Sequence, residues 1–163
     1  MVVVLLLFSS CGDEPSALSI RTVYTVSQEV VLDTFLCTGD NIKWYNGTTG
    51  ELKFKNMPRV EFGFPPRHIH YLIVLLGDIE LIRFATVPSI SSNSCLYACI
   101  TEEPHKLYIR ECYPFCDWAP GKRPEGTEWE GWGTVIVDEN WKAIEPEWNI
   151  FIKQLKKEGR YRE

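Results

Sequence analysis

The sequence predicts an α+β domain, in which an antiparallel β-sheet of successive hairpins packs on a C-terminal α-helix. Three observations predict it. Residues suited to tight two-strand connections stand at Asn46-Gly47-Thr48-Thr49-Gly50 and at Gly77-Asp78. The runs on either side of them are rich in β-branched and aromatic residues, which fit a pleated surface. Near the end of the chain Trp148, Phe151, Ile152 and Leu155 recur at helical spacing.

Taken in order, residues 23–36 are β-branched and apolar, and Thr38-Gly39-Asp40-Asn41 follows as a turn. Residues 42–45 and 51–55 then form a hairpin. Pairing Tyr45 with Glu51 places Ile42, Trp44, Leu52 and Phe54 on a buried face and Lys43, Tyr45, Glu51 and Lys53 on a wet one. The strongest hairpin signal comes next: residues 70–76, the Gly77-Asp78 turn, and residues 79–84. Both faces of its first arm are apolar, which puts that arm in the middle of the sheet.

A third hairpin runs over 95–100, turns at Glu102-Glu103-Pro104-His105 and returns over 107–112. A symmetric turn sets Cys95 opposite Cys112 and brings a cross-strand disulfide within reach. A one-residue slip would destroy that pairing. Residues 114–133 read as a loop rich in Pro, Gly and Trp, and residues 134–137 as a short strand. Pro146 suits the first turn of the final helix, Lys156 and Lys157 its negative end, and Gly159 its C-cap.

The first residues carry a different signal. Residues 2–8 are apolar, Ser9 and Ser10 are small, and Cys11 follows directly. This is the layout of a secretory apolar segment and its cleavage site, and it resembles a bacterial lipobox. The resemblance implies acylation of Cys11 and cleavage before it, with the acyl chains holding the protein on a membrane. The expected organisation is a signal peptide over 1–10, a lipidated tether over 11–22 and one domain over 23–163. No Lys or Arg precedes the apolar run, which is also short. A start further upstream would account for both departures. The competing reading makes residues 2–7 a buried strand. Asp13 and Glu14 resemble the acidic export signals of Bacteroidota surface lipoproteins, which implies the outer membrane and leaves its face open.

The net charge of −5 argues against a nucleic-acid partner, because a phosphate-binding face needs clustered Lys and Arg. Six cysteines include Cys11, which leaves Cys37, Cys95, Cys99, Cys112 and Cys116. In an extended strand residues i and i+4 stand ~13 Å apart, so neither C-x3-C pair can share an ion unless its segment bends. Disulfides or buried thiols are the favoured reading of all five.

Two further groups of side chains invite a function. His68 and His70 share a strand face, as some metal sites require, but a third ligand is needed, which His105 or a carboxylate would have to supply. Trp118, Trp129 and Trp132 fall in the aromatic loop and are candidates for stacking on a glycan or anchoring a protein partner. Trp141 and Trp148 read as pins between helix and sheet.

The lipobox-like start, the Thr38-Gly39-Asp40 turn, the hairpin from Trp44-Tyr45-Asn46 to Glu51-Leu52-Lys53-Phe54 and the terminal Trp148-containing helix together resemble small Bacteroidota lipoproteins of unassigned function. That resemblance implies envelope location and non-enzymatic status as the default. The first expectation is a binding or interaction module without a cofactor, its aromatic loop contacting a glycan or a protein partner. The alternatives are a small metal-dependent or hydrolytic enzyme and an accessory subunit of a surface complex.

Overall fold

The computed structural model of the chain describes residues 16–26, 29–60, 68–88, 95–103, 106–114, 118–124 and 132–163, with residues 68–69 and 132–135 described by their backbone alone. The strands are β1 (Leu18–Val26), β2 (Glu29–Thr38), β3 (Ile42–Asn46), β4 (Glu51–Phe54), β5 (His68–Leu76), β6 (Ile79–Pro88), β7 (Cys99–Glu103), β8 (Lys106–Arg110) and β9 (Tyr161–Arg162). One α-helix, α1 (Trp132–Lys157), precedes β9. The strands form a single sheet in the order β2-β1-β5-β6-β7-β8-β4-β3-β9. The fold is therefore α+β.

The sheet is mixed where an antiparallel one was expected. β6 and β7 run parallel, as do β3 and β9. Parallel neighbours need a long return connection, and residues 89–98 make it between β6 and β7. The Gly77-Asp78 hairpin forms as its turn chemistry predicts. Leu76 pairs with Ile79, and Gly77 takes the positive φ that a primed turn demands. Leu72, Ile73 and Val74 of β5 are all buried, as a strand inside the sheet requires.

Two boundaries move. Residues 18–22, expected within a tether, belong to β1, which starts at Leu18 and pairs along its length with both β2 and β5. Leu18 and Ile20 belong to the main core. The short strand expected over 134–137 lies inside α1, as does Pro146, which was expected to open the helix. Proline inside a helix removes a hydrogen bond and costs about 3 kcal/mol. Here the cost is offset by burial on both sides of it. Val137, Trp141, Ile144, Trp148, Phe151 and Leu155 alternate at spacings of four and three, and each is buried or packed on a core cluster. The helix ends as Gly159 predicts. Its φ is +67°, Arg160 N–H donates to Leu155 O, and Gly159 N–H donates to Lys156 O, the paired bonds of a Schellman motif.

The β3–β4 hairpin forms with one change of consequence. Ile42 pairs with Phe54 and Tyr45 with Leu52, with a bulge between Ile42 and Trp44. The extra residue turns the strand over. Tyr45 therefore enters the core beside Ile42, Leu52 and Phe54, and Trp44 takes the outer face expected of Tyr45. Outside, Trp44 lies under the Arg162 guanidinium at 5.0 Å.

Candidate functional site: an aromatic cleft beside the C-terminal strand

The bulge in β3 also builds a cleft. Tyr45, inverted by the bulge, sits 1% exposed against Trp148 of α1, the rings edge-on at 5.5 Å. Trp141, two turns earlier on the helix, meets Trp148 edge-on at 5.8 Å. Tyr161 of β9 closes the other side, 6.2 Å from the Tyr45 ring. Between these four rings, the Pro120-Gly121-Lys122 turn and the exposed Glu145 and Asn149 of α1, a cleft of about 200 Å³ opens. That is below the ~300 Å³ at which drug-sized sites begin, so one ring fills it.

The sequence holds Tyr161 in place by several means. β9 pairs with β3 through Tyr45 N–H donating to Arg160 O and Gly47 N–H donating to Arg162 O, both at 2.8 Å. Gly47 is required because a Cβ there would run into the Tyr161 ring. The Lys156 ammonium lies 4.4 Å from that ring's centroid. Below it, Arg160 donates to the carbonyls of Gly39 and Ile42 and to the Asp40 carboxylate, each at 2.7 Å. Its Nε faces Glu158 at 3.0 Å. Glu158 accepts in turn from Ser16 Oγ at 2.9 Å, which ties the first described residue to the turn between α1 and β9.

One polar group in the cleft is unanswered. The Tyr45 hydroxyl is buried and has no hydrogen-bond partner among the described residues. Its ionisation is pushed far above the ordinary phenol value by burial first and by the neighbouring Tyr161 second, while Arg110 pulls the other way. The phenol stays neutral and keeps a proton to donate. A buried hydroxyl without a partner costs about 1–3 kcal/mol. A ligand hydroxyl or carbonyl in the cleft would relieve that cost.

The residues singled out in the sequence lie elsewhere. Trp118 is half-buried and packs on Cys112 and Val137, beyond the cleft. Trp132 is the first residue of α1, where a loop was expected, and its side chain is outside the described set. Cys11, Trp129, His105 and Cys116 lie outside the described residues. So does the His68 side chain. His70 stacks on Tyr24 across the β1–β5 pair, with ring centroids 4.4 Å apart. Among the described residues no three His, Cys, Asp or Glu side chains converge to hold a metal.

The Cys95–Cys112 disulfide does not form. Cys95 is a free thiol, as are Cys37 and Cys99, while Cys112 is disulfide-bonded to a partner that is none of these. The reason is register. The hairpin turns more tightly than a symmetric loop at Glu102–His105 would, with Glu103 paired to Lys106 and Cys99 to Arg110. Cys95 then bridges to Tyr113 and not to Cys112.

The cleft residues the sequence reading missed were visible in part. Trp141 and Trp148 stand on one helical stripe, but their spacing alone says only that they are buried. No sequence signal placed Tyr45 beside them, because the bulge that inverts it has no turn-residue signature. No protein-family model matches the chain, and neither a curated protein nor a solved structure is significantly similar to it.

Proposed function

We propose that the chain is a lipid-anchored protein of the bacterial outer membrane, held through Cys11, and that its domain is a non-enzymatic binding module whose cleft takes a single sugar ring of a glycan. In this reading the successive hairpins are seated on α1 through Trp148, Phe151 and Leu155, and the seam between helix and sheet opens at its end into the site. The observation that carries the proposal is the buried, unpartnered Tyr45 hydroxyl among aromatic rings. Aromatic faces stack on the apolar face of a sugar, and a site built to hydrogen-bond one hydroxyl discriminates strongly for it. Glu145, Asn149 and Lys122 at the rim supply further acceptors and donors.

The test is a two-part experiment on the full chain. Titration with a panel of neutral and amino monosaccharides is followed by tryptophan fluorescence, which Trp141 and Trp148 report. At least one sugar is expected to bind, and Tyr45→Phe to weaken it by about tenfold, the worth of one hydrogen bond. Binding by no sugar, or equal binding by Tyr45→Phe, removes the cleft. Palmitate labelling of cells expressing wild type and Cys11→Ala tests the anchor separately. Label on the wild type alone is expected, and equal label on both removes it.

A further inference from the structure

The Tyr45 hydroxyl sets a chemical condition on whatever enters the cleft. It has no hydrogen-bond partner among the described residues, so it brings one proton to donate. The walls around it are apolar: the ring of Trp148 edge-on to Tyr45, the ring of Tyr161 on the other side, and the half-buried Ile152. The polar side chains of the helix stand at the mouth instead. Glu145 and Asn149 are exposed, on the same stripe of α1 as Trp148 and Ile152, and each can accept from an N–H.

A ligand hydroxyl matches this arrangement poorly. Two hydroxyls facing each other share one proton, and the second is left over among rings and aliphatic carbon, where burial without a partner is costly. An ammonium offers the phenol no acceptor at all. A carbonyl only accepts, so it takes the Tyr45 proton and leaves nothing unanswered. The walls ask in addition for an apolar group beside that carbonyl, and the mouth asks for a donor on its outer side. Carbonyl and methyl inward with an N–H outward describe one common sugar substituent, the acetamido group.

We propose that the ring taken by the cleft is an N-acetylated amino sugar, its acetamido carbonyl accepting from the Tyr45 hydroxyl, its methyl among the rings and Ile152, and its N–H turned toward Glu145 and Asn149. This inference rests on the glycan reading and narrows it to one substituent. It makes Tyr45 the residue that determines specificity, because a site built to hydrogen-bond one group rejects the analogue that lacks it.

The full chain is titrated with N-acetylglucosamine, N-acetylgalactosamine, glucosamine, glucose and N-acetylglycine amide, followed by tryptophan fluorescence. At least one acetylated sugar is expected to bind about tenfold or more tighter than glucose and glucosamine. N-acetylglycine amide, which has the acetamido group and no ring, is expected to bind more weakly than that sugar. Tyr45→Phe should shrink the preference over glucose by about tenfold. Saturation-transfer difference NMR on the wild type needs no variant, and the acetyl methyl is expected to carry the largest signal of the bound sugar. Glucose or glucosamine binding as tightly as the acetylated sugars overturns this inference and leaves the glycan reading standing. Equal binding of N-acetylglycine amide overturns it because the ring then adds nothing, and saturation strongest on the ring protons overturns the inward methyl. Binding by no sugar overturns both readings together.

Discussion

The two edges of the sheet are built in opposite ways. β9, at one end of the order, is two residues long, ends in Arg162 and follows Arg160. Its backbone is paired to β3, and its neighbours are clamped by four polar contacts of one guanidinium. β2, at the other end, is ten residues long and exposed along most of its length. Val30, Val31, Leu32 and Phe35 on it are each at least half exposed. Its charged residues are Glu29 and Asp33, and it has no Lys or Pro. Sheets normally protect their edges with short strands, charge or proline. One end of this molecule is protected in that way, and the other presents apolar side chains and a row of backbone groups that no strand among the described residues pairs. The protected edge holds the cleft; the open edge meets the main core through Leu36 and Cys37 near its end.

Each edge carries an arginine–aspartate pair of similar length, and they offer the largest contrast. Arg160 meets Asp40 at 2.7 Å with its own side chain 14% exposed. Arg21 meets Asp33 at 3.0 Å with both side chains near 40% exposed. Arg160→Ala leaves two carbonyls and the Glu158 carboxylate without their cation, and is expected to cost about 3 kcal/mol. Arg21→Ala gives up a solvated pair and is expected to cost under about 1 kcal/mol. Urea unfolding of the two variants compares them through the shift in midpoint at constant slope. Similar shifts would mean that the Arg160 contacts do not hold the edge.

The same asymmetry separates what could be read in the sequence from what could not. Hairpin β5–β6 was legible because its turn is local: Gly77-Asp78 sets the pairing of Leu76 with Ile79 and of Leu75 with Glu80, before a register shift at Val74. The Schellman cap at Gly159 was legible for the same reason. The extent of α1 was half legible. The stripe runs back through Ile144 and Trp141 to Val137, but Pro146 interrupts the reading, and only tertiary burial shows that the helix passes through it. The bulges were not legible. The one in β3 exchanges Trp44 for Tyr45, and the one before β7 sets Cys95 against Tyr113. Each is a long-range adjustment of one residue, decided by which side chains the rest of the sheet has room for. The cleft arises from such a bulge, which is why side-chain type alone pointed to other residues.

At the open edge the expected effect on folding is smaller and the effect on solution behaviour larger. Leu32→Lys places a charge on an exposed strand position and should change stability by no more than about 0.5 kcal/mol. The wild-type chain is expected to associate as its concentration rises, through backbone pairing at β2, and the lysine to suppress this. Sedimentation velocity over a range of concentrations reads the difference. Association that survives Leu32→Lys unchanged would place it somewhere other than this edge.

The smallest effect is a pH dependence located at the protected edge. Burial holds the Tyr45 phenol in its protonated form well above the ordinary value of about 10. Above that pH the unfolded chain releases this proton while the folded chain keeps it, so the unfolded state binds fewer protons and stability falls as pH rises. The contribution is intact below about pH 10 and is lost above it. Tyr45→Phe removes the group, and its hydroxyl leaves no partner behind. Stability at neutral pH is expected to rise by about 1 kcal/mol, the low end of what the unanswered hydroxyl costs. Between pH 10 and 12 its slope should become shallower by up to about 1.4 kcal/mol per unit. Tyr97 and Tyr161, also raised first by burial, keep the remaining slope. Phe35→Leu at the open edge touches no ionising group and should leave the profile as it is. An unchanged slope in Tyr45→Phe would mean that water reaches the phenol in solution, and the cleft would then be wider and wetter than the packing of its four rings implies.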